Sequence, residues 1–279
     1  MDGFAGRAAF VTGAGSGIGR ALSLALARAG CHVVCADIDA ASAEVTAASC
    51  RPQGVQALAL VVDAGDRASL HAAIDAAELW AHGYGGISSF VANAGVLVIG
   101  GLEASEADWE RGWRVNTMQS VWAAQKMVPS MAARGGGSIV VVASAAGLLT
   151  HHGALPYAVT KAAAVAVAKW IAVSHGAEDR IAVSCVCPQA VHTLMTRGAD
   201  PTRELHAASA MAGQDGVLTA DVVAQKVLEG VAQRHFLVLP HPSVNKYLKY
   251  ATEVPEKWIA RMQELQTSWR EAYVPASRL

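Results

Sequence analysis

The sequence has no surplus charge of either sign: 22 Lys and Arg stand against 23 Asp and Glu, a net charge of -1. Gripping a polynucleotide backbone or an anionic bilayer needs a basic excess, so neither is expected as a partner. Charge is sparse altogether, at 16% of 279 residues, against roughly 25% in an ordinary globular domain. With 53% hydrophobic residues, this excludes a disordered chain and leaves material for a large core. The longest uncharged apolar stretch, near 139–149, is too short to span a bilayer. Met1-Asp2-Gly3-Phe4 lacks the basic segment and apolar run of a secretion signal. The five cysteines include no C-x-x-C pair, and four lie in or beside strand-like runs, as expected of buried thiols in a reducing cytoplasm. No metal is expected either, since the adjacent His151 and His152 have no evident further ligands.

What the chain does have is alternation. Short β-branched runs at 8–12, 32–36, 56–62, 87–92, 138–143, 180–187 and 236–239 are separated by Ala/Leu-rich helical stretches. That pattern predicts a doubly wound, Rossmann-type α/β fold of seven parallel strands with helices on both faces. The strands are almost uniformly apolar, as in Ile139-Val140-Val141-Val142, because such a sheet is covered on both sides. Ser105 with Asp108, and Thr219 further on, stand where helix caps are expected. Gly198, Pro201, Gly213 and Gly216 interrupt the stretch 191–216, where a mobile lid is expected. Beyond 240 prolines punctuate the chain, and Trp258, Met262, Leu265 and Trp269 recur at helical spacing. The expectation is one dinucleotide-binding and catalytic domain over 1–240 and a helical extension over 241–279, its apolar stripe docked on its own domain or on a partner subunit.

Thr12-Gly13-Ala14-Gly15-Ser16-Gly17-Ile18-Gly19 follows the first strand and opens the first helix. Glycines there let the backbone turn tightly and approach a pyrophosphate, whose charge the helix N-terminus favours. The strict G-x-G-x-x-G spacing is not met, and a plain strand-to-helix turn is the competing reading. Asp37 ends the second strand, near the roughly 20-residue offset at which a carboxylate meets an adenosine ribose. A carboxylate there accepts from both ribose hydroxyls and repels a 2′-phosphate, which favours NAD over NADP. Asp39 nearby competes for that role, and position favours Asp37.

Tyr157 and Lys161 are spaced i, i+4 and share a helix face. A tyrosine with a pKa of about 10 needs a neighbouring cation to do proton chemistry near neutrality. Ser144 follows an apolar strand, at the carboxyl edge where ligands bind in such sheets.

These residues, in order with Asp63, Asn93-Ala94-Gly95 and Asn116, resemble the short-chain dehydrogenase/reductase family over about residues 5–240. The resemblance implies that Tyr157 acts as general acid/base, that Lys161 lowers its pKa and binds the nicotinamide ribose, and that Ser144 bonds the reacting oxygen. It gives Asn116 a water linking Lys161 to solvent. Asp63 and Ala64 would contact adenine, and Asn93 and Gly95 would line the cofactor cleft with Gly13, Ser16, Gly17, Ile18 and Pro188. Thr193 would bond the nicotinamide carboxamide. The family's usual Pro-Gly is here Pro188-Gln189, so Gln189 brings a side chain towards the nicotinamide end. His192 and Leu149 are further candidate substrate contacts, and Leu148, Leu155, Val191, Leu194 and Met195 are expected to flank the reacting carbon. The implied activity is NAD-dependent hydride transfer to or from a hydrophobic or cyclic secondary alcohol or ketone. The alternatives are an acyl-carrier or acyl-CoA ketoreductase, and a non-catalytic NAD-binding sensor or scaffold. Pairing through the helices bearing 113–127 and 157–173 into a dimer or tetramer is also implied.

Overall fold

The computed structural model describes residues 3–193, 195 and 215–273. Seven strands form one parallel sheet: β1 (Ala8–Thr12), β2 (His32–Asp37), β3 (Ala57–Val61), β4 (Ile87–Ala92), β5 (Gly137–Val142), β6 (Ile181–Val186) and, after two shorter strands, β9 (Leu237–Val238). Their spatial order is β3-β2-β1-β4-β5-β6-β9. The order reverses between β1 and β4, and a crevice opens above the carboxyl ends at such a point. β7 (Val191–His192) pairs with β8 (Leu218–Thr219) outside the main sheet.

The inner strands β1, β2, β4, β5 and β6 are buried from both faces, and successive side chains serve opposite layers, while the edge strand β3 is only half-buried. On β1, Phe10 points into a core with Phe90, Ile74, Met127 and Ile171, whereas Ala9 and Val11 point into a second core with Leu22, Leu26, Val227 and Leu228. The Phe10 and Phe90 rings stack at 5.1 Å. Helices α1 (Gly17–Arg28), α2 (Ala40–Cys50) and α8 (Ala220–Ala232) cover one face. Helices α3 (Arg67–Trp80), α5 (Gln119–Ala133) and α7 (Leu155–His175) cover the other. Although α7 has the length and apolarity to cross a membrane, it packs against β6 through Ala164, Ala168 and Ile171.

The expected caps form. Ser105 accepts from the Asp108 amide at the start of α4 (Glu106–Trp113), and Thr219 accepts from the Val222 amide at the start of α8. Between α4 and α5 the helix widens into a π turn, Arg114–Met118, a distortion with no periodic signal and frequent at functional sites. The short α6 (Ala146–Leu149) follows β5. The last described elements are α9 (Ser243–Glu253) and α10 (Pro255–Tyr273), broken apart at Pro255, whose ring cannot continue a helix. Trp258 lies 6.3 Å from the Tyr247 ring and 6.2 Å from that of Tyr250, so the terminal stripe turns back onto α9. Most of the expected lid, with Leu194, Gly198, Pro201 and Gly213, lies outside the described residues, as does the Trp269 side chain.

Candidate active site

A cavity of about 1130 Å³ among the described residues runs along the carboxyl edge of the sheet. At one end lies the glycine turn. Gly13 (φ +62°) and Gly17 (φ +51°) adopt left-handed conformations that L side chains resist. Gly19 is required for space: a Cβ there would stand 2.1 Å from the Gly13 carbonyl oxygen. Helix α1 starts with no side-chain cap and no acidic residue in its first turn, leaving its first amides and positive dipole end to an anion.

Asp37 and Asp39 part company here. Asp39 caps α2, accepting from the Ala41 and Ser42 amides and from the Ser42 hydroxyl. Those bonds hold its carboxyl below the ordinary range. Asp37 instead accepts from the Gly15 amide at 2.8 Å and the Asp39 amide at 3.0 Å, and lines the cavity. Beside it stands Ile38, 71% exposed and also on the wall. This apolar side chain was missed because a lone Ile at a strand end carries no signal.

The floor is fixed by a buried hub. The Thr12 hydroxyl donates to Gln119 Oε1 and accepts from the Asn93 and Ala94 amides, while Asn93 Nδ2 donates to the Thr12 and Gly13 carbonyls. Gln119 also donates to the Ala94 and Val115 carbonyls. Asn93, Gly95, Asp63 and Ala64 all face the cavity; Asp63 Oδ1 accepts from the Gly65 amide.

At the other end Ser144, Tyr157 and Lys161 converge on the same cavity. Ser144 Oγ accepts from the Ala146 amide at 3.1 Å, placing the hydroxyl at the mouth of β5. Burial pushes the Tyr157 phenol above its ordinary value, and a hydrogen bond from Ser144 opposes that rise. Lys161 is 3% exposed. Its Nζ donates to the Val142 carbonyl at 2.8 Å and lies 5.8 Å from the Tyr157 ring centre. Burial brings its pKa down from 10.5 to about 8. Cys187, the last residue before Pro188, lies beneath this group, with its Sγ 3.9 Å from that of Cys185. All five cysteines are free and buried.

Asn116 stands behind the wall, 2% exposed. Its carboxamide clamps the Val96 backbone through both of its ends and also donates to Thr160 Oγ1. Gly95 separates it from Lys161, since a Cβ there would lie 3.2 Å from Asn116 Oδ1 and 3.3 Å from Lys161 Nζ. Any water held by this side chain is left with the remaining lone pair of Oδ1.

Pro188, Gln189, His192, Thr193 and Leu149 all reach the cavity. The Pro188 carbonyl accepts from the Ala145 amide, and Thr193 Cγ2 stands 3.0 Å from where a Gly17 Cβ would be. Gln189 is engaged elsewhere: its backbone amide donates to His241 Nδ1 at 3.2 Å and its side-chain Oε1 accepts from the Ser243 hydroxyl at 3.3 Å. Val191 and Met195 line the cavity as expected. Leu148 instead packs into the core, and Leu155 begins α7 away from the wall. His151 lies edge-on to Tyr157 at 6.3 Å, its Nδ1 against the His152 carbonyl, and burial lowers its pKa. Among the described residues no cluster of three His, Cys, Asp or Glu could hold a metal.

The family model for short chain dehydrogenases matches residues 7–204. The human 17-beta-hydroxysteroid dehydrogenase 13 is 29% identical over 97% of this chain and 86% of its own length. The 1-deoxy-11-beta-hydroxypentalenate dehydrogenase of Streptomyces exfoliatus is 34% identical over 82% of this chain and 81% of its own. A short chain dehydrogenase/reductase from Burkholderia phymatum, solved in complex with NAD, superimposes with a TM-score of 0.81 at 31% identity, covering 92% of this chain and 96% of that one. The sheet order, the glycine turn and the Ser144, Tyr157 and Lys161 group therefore sit in a chain that belongs to the short chain dehydrogenase family, and it is an oxidoreductase.

Proposed function

We propose that the protein transfers a hydride between NAD(H) and a hydrophobic or cyclic secondary alcohol or ketone, with Tyr157 as the general acid/base. The observation that carries this reading is one cavity with a dinucleotide cradle at one end and the Ser144, Tyr157 and Lys161 group at the other. The residues present fit NAD. Side chains are excluded where the glycine turn must approach a pyrophosphate, and the α1 amides are left for it. Asp37 uses one lone pair of each carboxylate oxygen on backbone amides, which orients the group and leaves acceptor sites for ribose hydroxyls. When bound, the nicotinamide supplies or accepts the hydride.

The chain's own residues then handle the proton. The Ser144 hydroxyl and the Tyr157 phenol hold the substrate oxygen, and Tyr157 Oη gives a proton to a ketone or takes one from an alcohol. Burial alone opposes formation of a phenolate, so the Lys161 cation and the Ser144 hydrogen bond are what make it accessible. Thr193, beside Gly17, and Pro188, on the cavity wall, would position the carboxamide end. The apolar wall of Leu149, Val191 and Met195 suits a hydrophobic substrate. Val159, Trp170 and Val173 on α7 are exposed, and we assign this face to subunit pairing. A reducing cytoplasm suits the five free thiols.

The test is absorbance of reduced nicotinamide with a panel of secondary alcohols, run with NAD and with NADP. Turnover with NAD is expected, and Tyr157→Phe should lower kcat by about 10²–10⁴-fold while still binding NAD. Turnover unaffected by Tyr157→Phe, or silence across the panel, overturns the reading.

A further inference from the structure

We infer that α9 and α10 form the distal part of the substrate site and that this part recognises an acid, so that the substrate carries a carboxylate at the end remote from its reacting carbon. The inference rests on the function proposed above and narrows its substrate class. It starts from where the terminal helices lie. Helix α9 packs on α6, directly after Ser144, and α10 packs on α9. Together they bring Tyr247, Tyr250, Trp258, Met262 and Leu265 to the cavity opposite Leu149. The root of this hairpin is tied to the loop after β6 by Ser243 donating to Gln189 Oε1, and by His241 accepting from the Gln189 amide. The residue that replaces the expected glycine therefore works as an anchor for the hairpin, and its position decides where that apolar wall stands.

The same wall carries two cations, Lys246 and Arg261, both on the cavity. Lys246 has no ion pair among the described residues, and Arg261 meets Glu264 at 3.0 Å within its own helix, both groups exposed. The acid on this wall, Asp215, accepts the Tyr247 hydroxyl at 3.0 Å, which fixes its carboxylate against α9 and leaves its charge in place. His151, facing the wall from the Tyr157 side, is pushed towards its neutral form by burial. The other cavity acids, Asp37 and Asp63, belong to the glycine-turn half, where the pyrophosphate site also lies. A ligand reaching from Tyr157 along the apolar wall meets on α9 the Lys246 ammonium, which has no carboxylate partner among the described residues, with the Arg261 and Glu264 pair beside it on α10. An apolar body with a carboxylate fits that wall, because an anion paired with Lys246 gains charge-assisted hydrogen bonds while its rings bury against Trp258 and Met262.

The experiment compares hydroxylated alicyclic and steroid carboxylic acids with their methyl esters, cholic acid and methyl cholate among them, as substrates of the full chain with NAD. The acids are expected to exceed their esters in kcat/KM by about tenfold or more, and added salt should erode the preference. In the Lys246→Gln/Arg261→Gln variant the acid-to-ester ratio should fall to about one, and in Lys246→Glu/Arg261→Glu it should invert. Both positions are exposed, so folding should survive. Turnover of both forms without a preference, or a preference that survives the double variant, overturns the acid subsite and leaves hydride transfer standing. Turnover confined to neutral alcohols does the same. Silence with every alcohol overturns both.

Discussion

At the dinucleotide end of the cavity the groups are held where strands stop. Thr12, Asp37 and Asn93 each sit at or just beyond a strand terminus, and their partners are backbone amides and carbonyls of neighbouring turns. At the substrate end the wall is assembled from far apart in the chain: Gln189 meets Ser243, Asp215 meets Tyr247, and α10 reaches over from the terminus. The first half is dictated by sheet geometry and the second by docking of an appendage. A shared fold can therefore keep its cofactor site while its substrate changes with the appendage.

If the cofactor half is set by backbone packing, a single methyl group should damage it. Gly19→Ala is the sharpest case, since its Cβ would meet the Gly13 carbonyl oxygen and Asn93 Nδ2. Overpacking at such a contact should cost about 2–3 kcal/mol of stability, with NAD affinity lowered in parallel. Denaturant unfolding and a cofactor titration measure the two. An unaffected variant would show that this turn is softer than the comparison holds.

Asp37→Ala probes the same half by charge. Removing the carboxylate should shift the ratio of kcat/KM for NAD over NADP by about 10–100-fold towards NADP, as expected for loss of two charged hydrogen bonds and a repulsion. An unchanged ratio would mean that another residue reads the ribose.

Lys161 lies between the halves. Its folded pKa of about 8 is below the ordinary 10.5, so between these values the unfolded chain binds more protons and stability rises with pH. Below pH 8 the protein carries the full cost of a buried cation. Lys161→Met should therefore abolish turnover yet stabilise the fold at pH 7 by about 1–2 kcal/mol, after allowing for the lost bond to Val142. That gain should shrink as pH approaches 10.5. Denaturant midpoints at pH 7 and pH 10 check the sign; a variant less stable at pH 7 contradicts it.

The same division explains what could be read from the sequence. The glycine turn, the Tyr157 and Lys161 pair and Ser144 are local patterns tied to a strand end or a helix face; each is weak by itself, and it is their order along the chain, through its resemblance to the family, that points to them. Strand limits differ by a residue or so, as at 56–62 against Ala57–Val61, because end residues lack a ladder partner on one side. Position at the strand end favours Asp37 over Asp39, and the physical reason is that Asp39 is spent on capping α2. Gln119, buried beneath the cofactor floor, reads in sequence as an ordinary polar helix residue. The terminal stripe of Trp258, Met262 and Leu265 is visible as a stripe, but periodicity does not say what lies opposite it. Gln189 stands out as a departure, whereas its partner Ser243 lies 54 positions later and carries no signal.

That last contact gives the finest test of whether the two halves are independent. The Ser243 hydroxyl is a single, rather long donor to Gln189 Oε1 at 3.3 Å, partly exposed, so its loss should cost only about 0.5–1 kcal/mol. Ser243→Ala should loosen the root of α9 and raise KM for the alcohol about two- to fivefold. The dissociation constant for NAD should stay put, because the Gly13 to Gly19 turn and Asp37 have no bond to this hairpin among the described residues. A change in KM alone would place the hairpin wholly on the substrate side. If NAD binding weakens by the same factor, the loop from Pro188 to Thr193 carries the disturbance to the glycine turn through the contact of Thr193 with Gly17, and the two ends of the cavity act as one unit.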